Sequence, residues 1–214
     1  TRVTDDATLS GAPYVLGGTE RRILMGMKDD FYARGDFTAN RLNYGIYRRG
    51  DPYLDPDTGE LLGIRAIDVG AAKIKALKED IATLGVSRAS GEIRIKDRLL
   101  FSEDRTLAST FYPRAPETEI KASVLNVEDG VRNAGALDVV AINRGDRDGL
   151  QAGDTLAIFK RGDFTKDRVA NQRVKLPDER IGLLMVFYTY AKMSFGLIME
   201  ADRQVDIGDL LSNP

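Results

Sequence analysis

Apolar residues along the chain gather in short runs rich in β-branched and aromatic side chains, with Gly, Pro, Asn and Asp between them. "DDFYA", "YGIY", "DVVAIN" and "TLAIF" are runs of this kind. "GELLGIRAIDVGAAKI" (59–74) is longer, with Ile64 and Ala66 on one face and Ile67 and Val69 on the other, which predicts a long strand. A Pro-Asp-Thr-Gly turn precedes it. "AAKIKALKEDIATLG" (71–85) has helical composition, but its start belongs to the long strand, which confines any helix there to a short insertion within about 75–82. "IGLLMVFYTYAKMSFGLIM" (181–199) would nearly span a bilayer, but Lys192 interrupts it. A central Lys costs roughly 2.5–3.5 kcal/mol on insertion scales. Two buried strands joined near Ala191–Ser194 are predicted instead. Regular short strands with turn signals point to a sandwich or small barrel.

Arg-Gly-Asp occurs at 34–36, 49–51, 144–146 and 161–163, each time after an apolar run. Gly supplies positive φ and Asp can bond its own backbone, so each is expected to be a turn at a strand end rather than an adhesion signal. All four tripeptides belong to a repeat. "YGIYRRGD" (44–51) aligns with "LAIFKRGD" (156–163), and "EIRIKDRL" (92–99) with "QVDIGDLL" (204–211), both 112 positions apart. "ELLGI" (60–64) meets "ERIGL" (179–183) at an offset of 119, which implies compensating insertions of seven residues. "YARGD" and "INRGD" stand 110 apart. The expected fold is therefore all-β: two duplicated small barrel-like (SH3-like) modules joined by a linker. Residues 1–20 are expected as a lead-in segment, 21–100 as the first module, 101–118 as the linker and 119–214 as the second module.

Composition narrows the function. The 214 residues carry a net charge of −2, which gives no electrostatic reason to expect nucleic acid. There is no Cys and no His, which removes disulfides, Cys/His zinc sites and every catalytic pair that uses either residue. A chain beginning at Thr1 leaves room for a removed signal peptide or N-terminal domain.

"DPDTGE" (55–60) resembles the start of a calcium loop but lacks its spacing and terminal bidentate Glu, so a hairpin turn is expected, as for "GDRDG" (145–149). No Ser sits in a nucleophile setting, and no Gly run makes a phosphate loop. No catalytic, cofactor-binding or metal-binding residue is assigned. At the 119 offset, Arg65 and Asp68 correspond to Leu184 and Phe187, an apolar face in the second module alone. That face could pack within the chain or receive a partner; Leu184 and Phe187 are the candidate partner-binding residues.

"GEIRIKDRLLFSEDRTLASTFYPRAP" (91–116), "DVVAINRGDRDGLQAGDTLAIFKRG" (138–162), "KLPDERIGLLMVF" (175–187) and "VDIGDLLSNP" (205–214) together resemble the region C-terminal to the LysM domain in the type IV pilus secretin-associated (TsaP-like) family. "YARG", "YGIYRRGDPYLDPDTGELLG" and "DVGAAKI" fit the same family, and the likeness runs from about residue 13 onward. "INRGDRDGLQAGDTLAIF" also resembles the C-terminal domain of the flagellar ring protein FlgT. The first resemblance implies a periplasmic, non-enzymatic protein that binds the outer-membrane secretin multimer, with several copies possible around the ring. Peptidoglycan would be reached only through a LysM domain, and this chain shows none. A flagellar or other envelope ring component is the alternative, and a peptidoglycan-active enzyme a further one.

Overall fold

The computed structural model describes residues 2–37, 42–101, 111–128 and 133–214. The protein is all-β and divides into two compact units, residues 1–53 with 63–107 and residues 54–62 with 108–214.

Unit 1 is built on β1 (Arg2–Thr4), β2 (Tyr14–Gly18), β3 (Leu24–Met25), β4 (Asp30–Arg34), β5 (Asn43–Leu54), β6 (Leu61–Lys78), β7 (Ile81–Ala89), β8 (Ile93–Arg94) and β9 (Arg98–Phe101). The strands lie in the order β1-β6-β5-β9-β2-β4-β7, and β6 also pairs with β7, so β2-β4-β7-β6-β5-β9 runs round a ring. Inside are Val15, Phe31, Ile46, Leu84 and Leu99. Unit 2 carries β10 (Lys121–Val127), β11 (Asn133–Ala134), β12 (Val139–Ile142), β13 (Thr155–Lys160), β14 (Phe164–Asp167), β15 (Gln172–Lys175), β16 (Glu179–Thr189), β17 (Ser194–Ala201), β18 (Val205–Asp206) and β19 (Leu210–Ser212). Here β10-β12-β17-β16-β13-β19 form a closed barrel around Val124, Ile142, Leu156, Ile158 and Ile198. The two rings have the same order of strands, and β3–β8 has its counterpart in β11–β18.

Register makes the correspondence finer. Gly70 faces Ala89 in unit 1, and Gly182 faces Ala201 in unit 2. A Cβ at Gly70 would meet the Arg88 carbonyl oxygen, and one at Gly182 the Glu200 carbonyl oxygen, so both positions need Gly for the close approach of their neighbour. Bulges fall between Ala71 and Ala72 and between Ile74 and Ala76; their counterparts lie between Leu183 and Leu184 and between Val186 and Tyr188. These pairs all stand 112 positions apart. The 119 offset and the two seven-residue insertions are thus corrected: Gly182 matches Gly70, not Gly63. In the earlier strands Phe31 faces Leu84 and Val140 faces Gly196, which sets that offset at 109 rather than 110.

Other expectations also change. Three Arg-Gly-Asp tripeptides follow a strand or end one, but Arg49-Gly50-Asp51 lies inside β5. The stretch 75–82 holds no helical insertion: β6 runs to Lys78 and turns at Glu79 and Asp80 into β7. Its alternate residues Ala72 and Ile74 join the barrel core, and that burial overrides helical propensity. Residues 1–20 include β1, a six-residue helix (Asp6–Gly11) and β2, so this stretch supplies a ring strand rather than a lead-in. Of the expected linker, Phe101 ends β9, 102–110 lies outside the described residues, and Arg114 bridges to Asp154 in unit 2.

One turn recurs at strand entrances. Gly26–Asp29, Arg94–Asp97, Gly135–Asp138, Gln151–Asp154 and Asp206–Asp209 each end on an Asp whose carboxylate accepts the amide of the first residue, at 2.8–2.9 Å. The third residue has positive φ each time: Lys28, Lys96, Leu137, Gly153 and Gly208. The Asp97, Asp154 and Asp209 carboxylates are buried and paired with Arg48, Arg114 and Lys160 respectively, each at 2.8 Å.

Leu184 is fully buried in the unit 2 core. Truncating it to Ala should therefore lower stability by about 2–5 kcal/mol. Urea unfolding checks this; a loss under about 0.5 kcal/mol, the range of surface changes, would place Leu184 outside the core.

Candidate partner-binding site

The two residues singled out from the sequence separate. Simple alternation from Ile181 would turn Leu184 outward, but the register shifts between Leu183 and Leu184, where Met199 of β17 is left out of the pairing, and Leu184 faces inward with Val186. Leu184 is therefore a core residue and is withdrawn as a contact. Phe187 is half-buried and stacks on Phe195, with ring centroids 6.5 Å apart. Tyr190 meets the edge of Phe195 at 6.0 Å and Tyr188 at 4.7 Å. Sequence reading found Phe187 but missed the other rings, which lie on both sides of the β16–β17 turn and become neighbours only when the hairpin forms.

A second cluster in unit 2 centres on residues 54–62, which the sequence placed in the first module. Asp55 starts a tight turn, its Oδ1 accepting the amides of Asp57 and Thr58 at 2.9 and 3.0 Å. Its Oδ2 accepts from Asn143 Nδ2 at 3.0 Å and Arg144 Nη1 at 3.4 Å. Burial pushes the Asp55 carboxyl up, but the amides of Thr58 and Asp57 and the Asn143 side chain outweigh it, and the pKa lies below the usual value. Arg147 donates both terminal nitrogens to Glu60, at 2.9 and 2.8 Å. Lys192 approaches Glu60 at 2.7 Å and donates to the Leu61 carbonyl at 3.3 Å. "DPDTGE" is thus a hairpin turn whose carboxylates engage protein groups. "GDRDG" forms a short 3-10 turn in place of a hairpin, with Asp148 accepting the Gly145 amide at 2.9 Å.

The tip at 167–172 repeats this turn. Asp167 Oδ1 accepts the amides of Val169 and Ala170 at 2.8 and 3.1 Å, and Asn171 takes positive φ where the first tip has Gly59. Its surroundings differ. Asp55 is 5% exposed, whereas Val169 is 97% and Phe164 59% exposed. The short sheet β14–β15 is bounded by exposed Phe164, Lys166, Arg173 and Lys175, with Arg173 over the Phe164 ring at 4.8 Å.

Unit 1 offers an apolar groove. Leu16, Tyr32 and Ile81 line it together with Gly17, Gly18 and Glu20. Tyr32 faces Gly17 on one neighbouring strand and Thr83 on the other, and Ile81 faces Arg34.

Among the described residues, no group of three or more acidic side chains is placed to hold a metal ion. No helix there is long and apolar enough to cross a membrane.

The Arg147 guanidinium, then the Lys192 ammonium, lower the Glu60 pKa from 4.5 to about 2. A depressed carboxyl pKa stabilises the folded state above the unfolded pKa, and this contribution fades as pH falls from about 4.5 towards 2. A carbon-detected NMR titration of Glu60 should show its midpoint near 2 in the wild type. It should move towards 4.5 in Arg147→Met, and by less in Lys192→Met. An ordinary midpoint in the wild type would remove the ion-pair cluster.

No family model matches this chain, and no curated protein matches it.

Proposed function

We propose that the chain is a non-enzymatic periplasmic accessory module that binds the outer-membrane secretin of the type IV pilus and helps fix it in the cell envelope. The resemblance of 91–116, 138–162, 175–187 and 205–214 to the secretin-associated family supports this reading. The observation that carries it is the aromatic ledge formed by half-buried Phe187 and Tyr188 of β16 and Tyr190 of the following turn, packed around the buried Phe195 of β17. Clustered aromatic rings, part apolar and part able to hydrogen-bond, suit a contact core because they bury much area for little lost side-chain freedom. A secretin presents the same surface many times, so modest affinity at each ledge would be multiplied by avidity.

Copurification with the detergent-solubilised secretin multimer tests the proposal. The wild-type fragment should be retained, and Phe187→Asp, at a half-buried position, should weaken retention by at least about tenfold while unfolding at close to the wild-type temperature. Failure of the wild type to bind would remove the secretin reading, and retention on a flagellar ring instead would favour the alternative. Full binding by Phe187→Asp would move the contact off the ledge.

A further inference from the structure

The two hairpin tips share one turn chemistry but not one environment. Tip 55–60 is held in unit 2 by Asn143, Arg144, Arg147 and Lys192. Tip 167–172 has the same Asp-led turn and projects on β14 and β15 with exposed Phe164, Val169 and Leu176. Unit 2 thus shows what kind of seat such a tip takes: the end of β12 together with the β16–β17 turn. The matching part of unit 1 is the end of β4 with the β6–β7 turn, since β12 and β17 pair as β4 and β7 do.

That place in unit 1 is open. Ala141 and Met193 are both fully buried in unit 2. Their counterparts Tyr32 and Ile81 are 43% and 41% exposed and line the apolar groove. Charge is inverted on both sides. The first tip carries Asp55, Asp57 and Glu60 and no cation, and meets Lys192. The second carries Arg168 with Asp167 and is flanked by Lys166 and Arg173. Where unit 2 has Ala191 and Lys192, unit 1 has Glu79 and Asp80, of which Asp80 pairs with Arg34 at 2.6 Å, and Glu20 lines the groove.

We propose that the β14–β15 arm of one copy seats on the Leu16–Tyr32–Ile81 groove of a second copy, giving head-to-tail self-association. Phe164 and Val169 would cover the groove, while Arg168 and Arg173 face Glu20, Glu79 and Asp80. Such a contact is heterologous: each copy keeps a free arm and a free seat, so it continues into a ring or an open filament according to its rotation. The inference is independent of the secretin reading, because it uses neither Phe187 nor the aromatic ledge.

Sedimentation velocity of the full chain, without secretin, tests it. The wild type should gain mass with concentration. The arm variant Val169→Asp and the seat variant Ile81→Asp should each weaken association by at least about tenfold. Both positions are exposed, so the far-UV spectrum and unfolding temperature should hold. An equimolar mixture of the two variants should form dimers and stop there, because one intact arm meets one intact seat. A wild type that stays monomeric, an arm or seat variant that associates normally, or a mixture that stays monomeric would each overturn the proposal.

Discussion

Closure of each barrel depends on a buried carboxylate at the start of its last strand. Asp97 caps the amide of Arg94 and receives Arg48 from β5; Asp209 caps the amide of Asp206 and receives Lys160 from β13. Each Asp therefore fixes a turn with positive φ and the neighbouring strand at once. Arg48 and the Arg94 amide engage both oxygens of Asp97, and Oδ2 of Asp209 accepts from both Lys160 and the Asp206 amide, which offsets burial of the two side chains at 4–5% exposure. With the final strand held in this register, Leu99 and Leu211 point into their cores and the rings can close.

The same economy appears at the hairpin tips. A carboxylate that accepts two successive amides makes a tight turn without help from neighbours, so the turn form is available to both tips. What differs is the outward chemistry. Asp55 keeps one oxygen for Asn143 and Arg144, and Glu60 meets two cations, so the first tip is bound through charge. The second tip has Gln172 where the first has Glu60, Val169 where it has Asp57, and Arg168 where it has Pro56. Local backbone shape is shared, while the partner of each tip is chosen by side chains.

Much of this fold was legible in the sequence, because turn residues and alternating apolar runs act locally. The spacing of 112 between "YGIYRRGD" and "LAIFKRGD", and between Asp97 and Asp209, marked equivalent strands. Matching Arg48 with Lys160 beside those Asp residues held the signal for the closing ion pairs, although the pairing itself was missed. Bulges were not legible. A bulge adds one residue with no compositional mark: the one opposite Leu183 and Leu184 is Met199 on β17, so simple alternation along β16 fails to place Leu184. The choice of Gly63 over Gly70 as the partner of Gly182 had a related cause, since "ELLGI" and "ERIGL" share Glu and Gly as letters while the requirement for Gly comes from a neighbouring carbonyl. The ion pairs around residues 54–62 join positions about ninety apart, or more, and a single sequence carries no sign of them.

Hydrogen exchange at the two tips, followed at low protein concentration, tests most directly the claim that like turns are differently engaged. The amides of Asp57 and Thr58 and those of Val169 and Ala170 have the same local acceptor chemistry, so the turn alone would protect them alike. Markedly slower exchange at Asp57 and Thr58 is the expected result, because opening that tip also breaks the bonds to Asn143, Arg147 and Lys192. Equal rates at the two tips would contradict the claim that the first is seated and the second free.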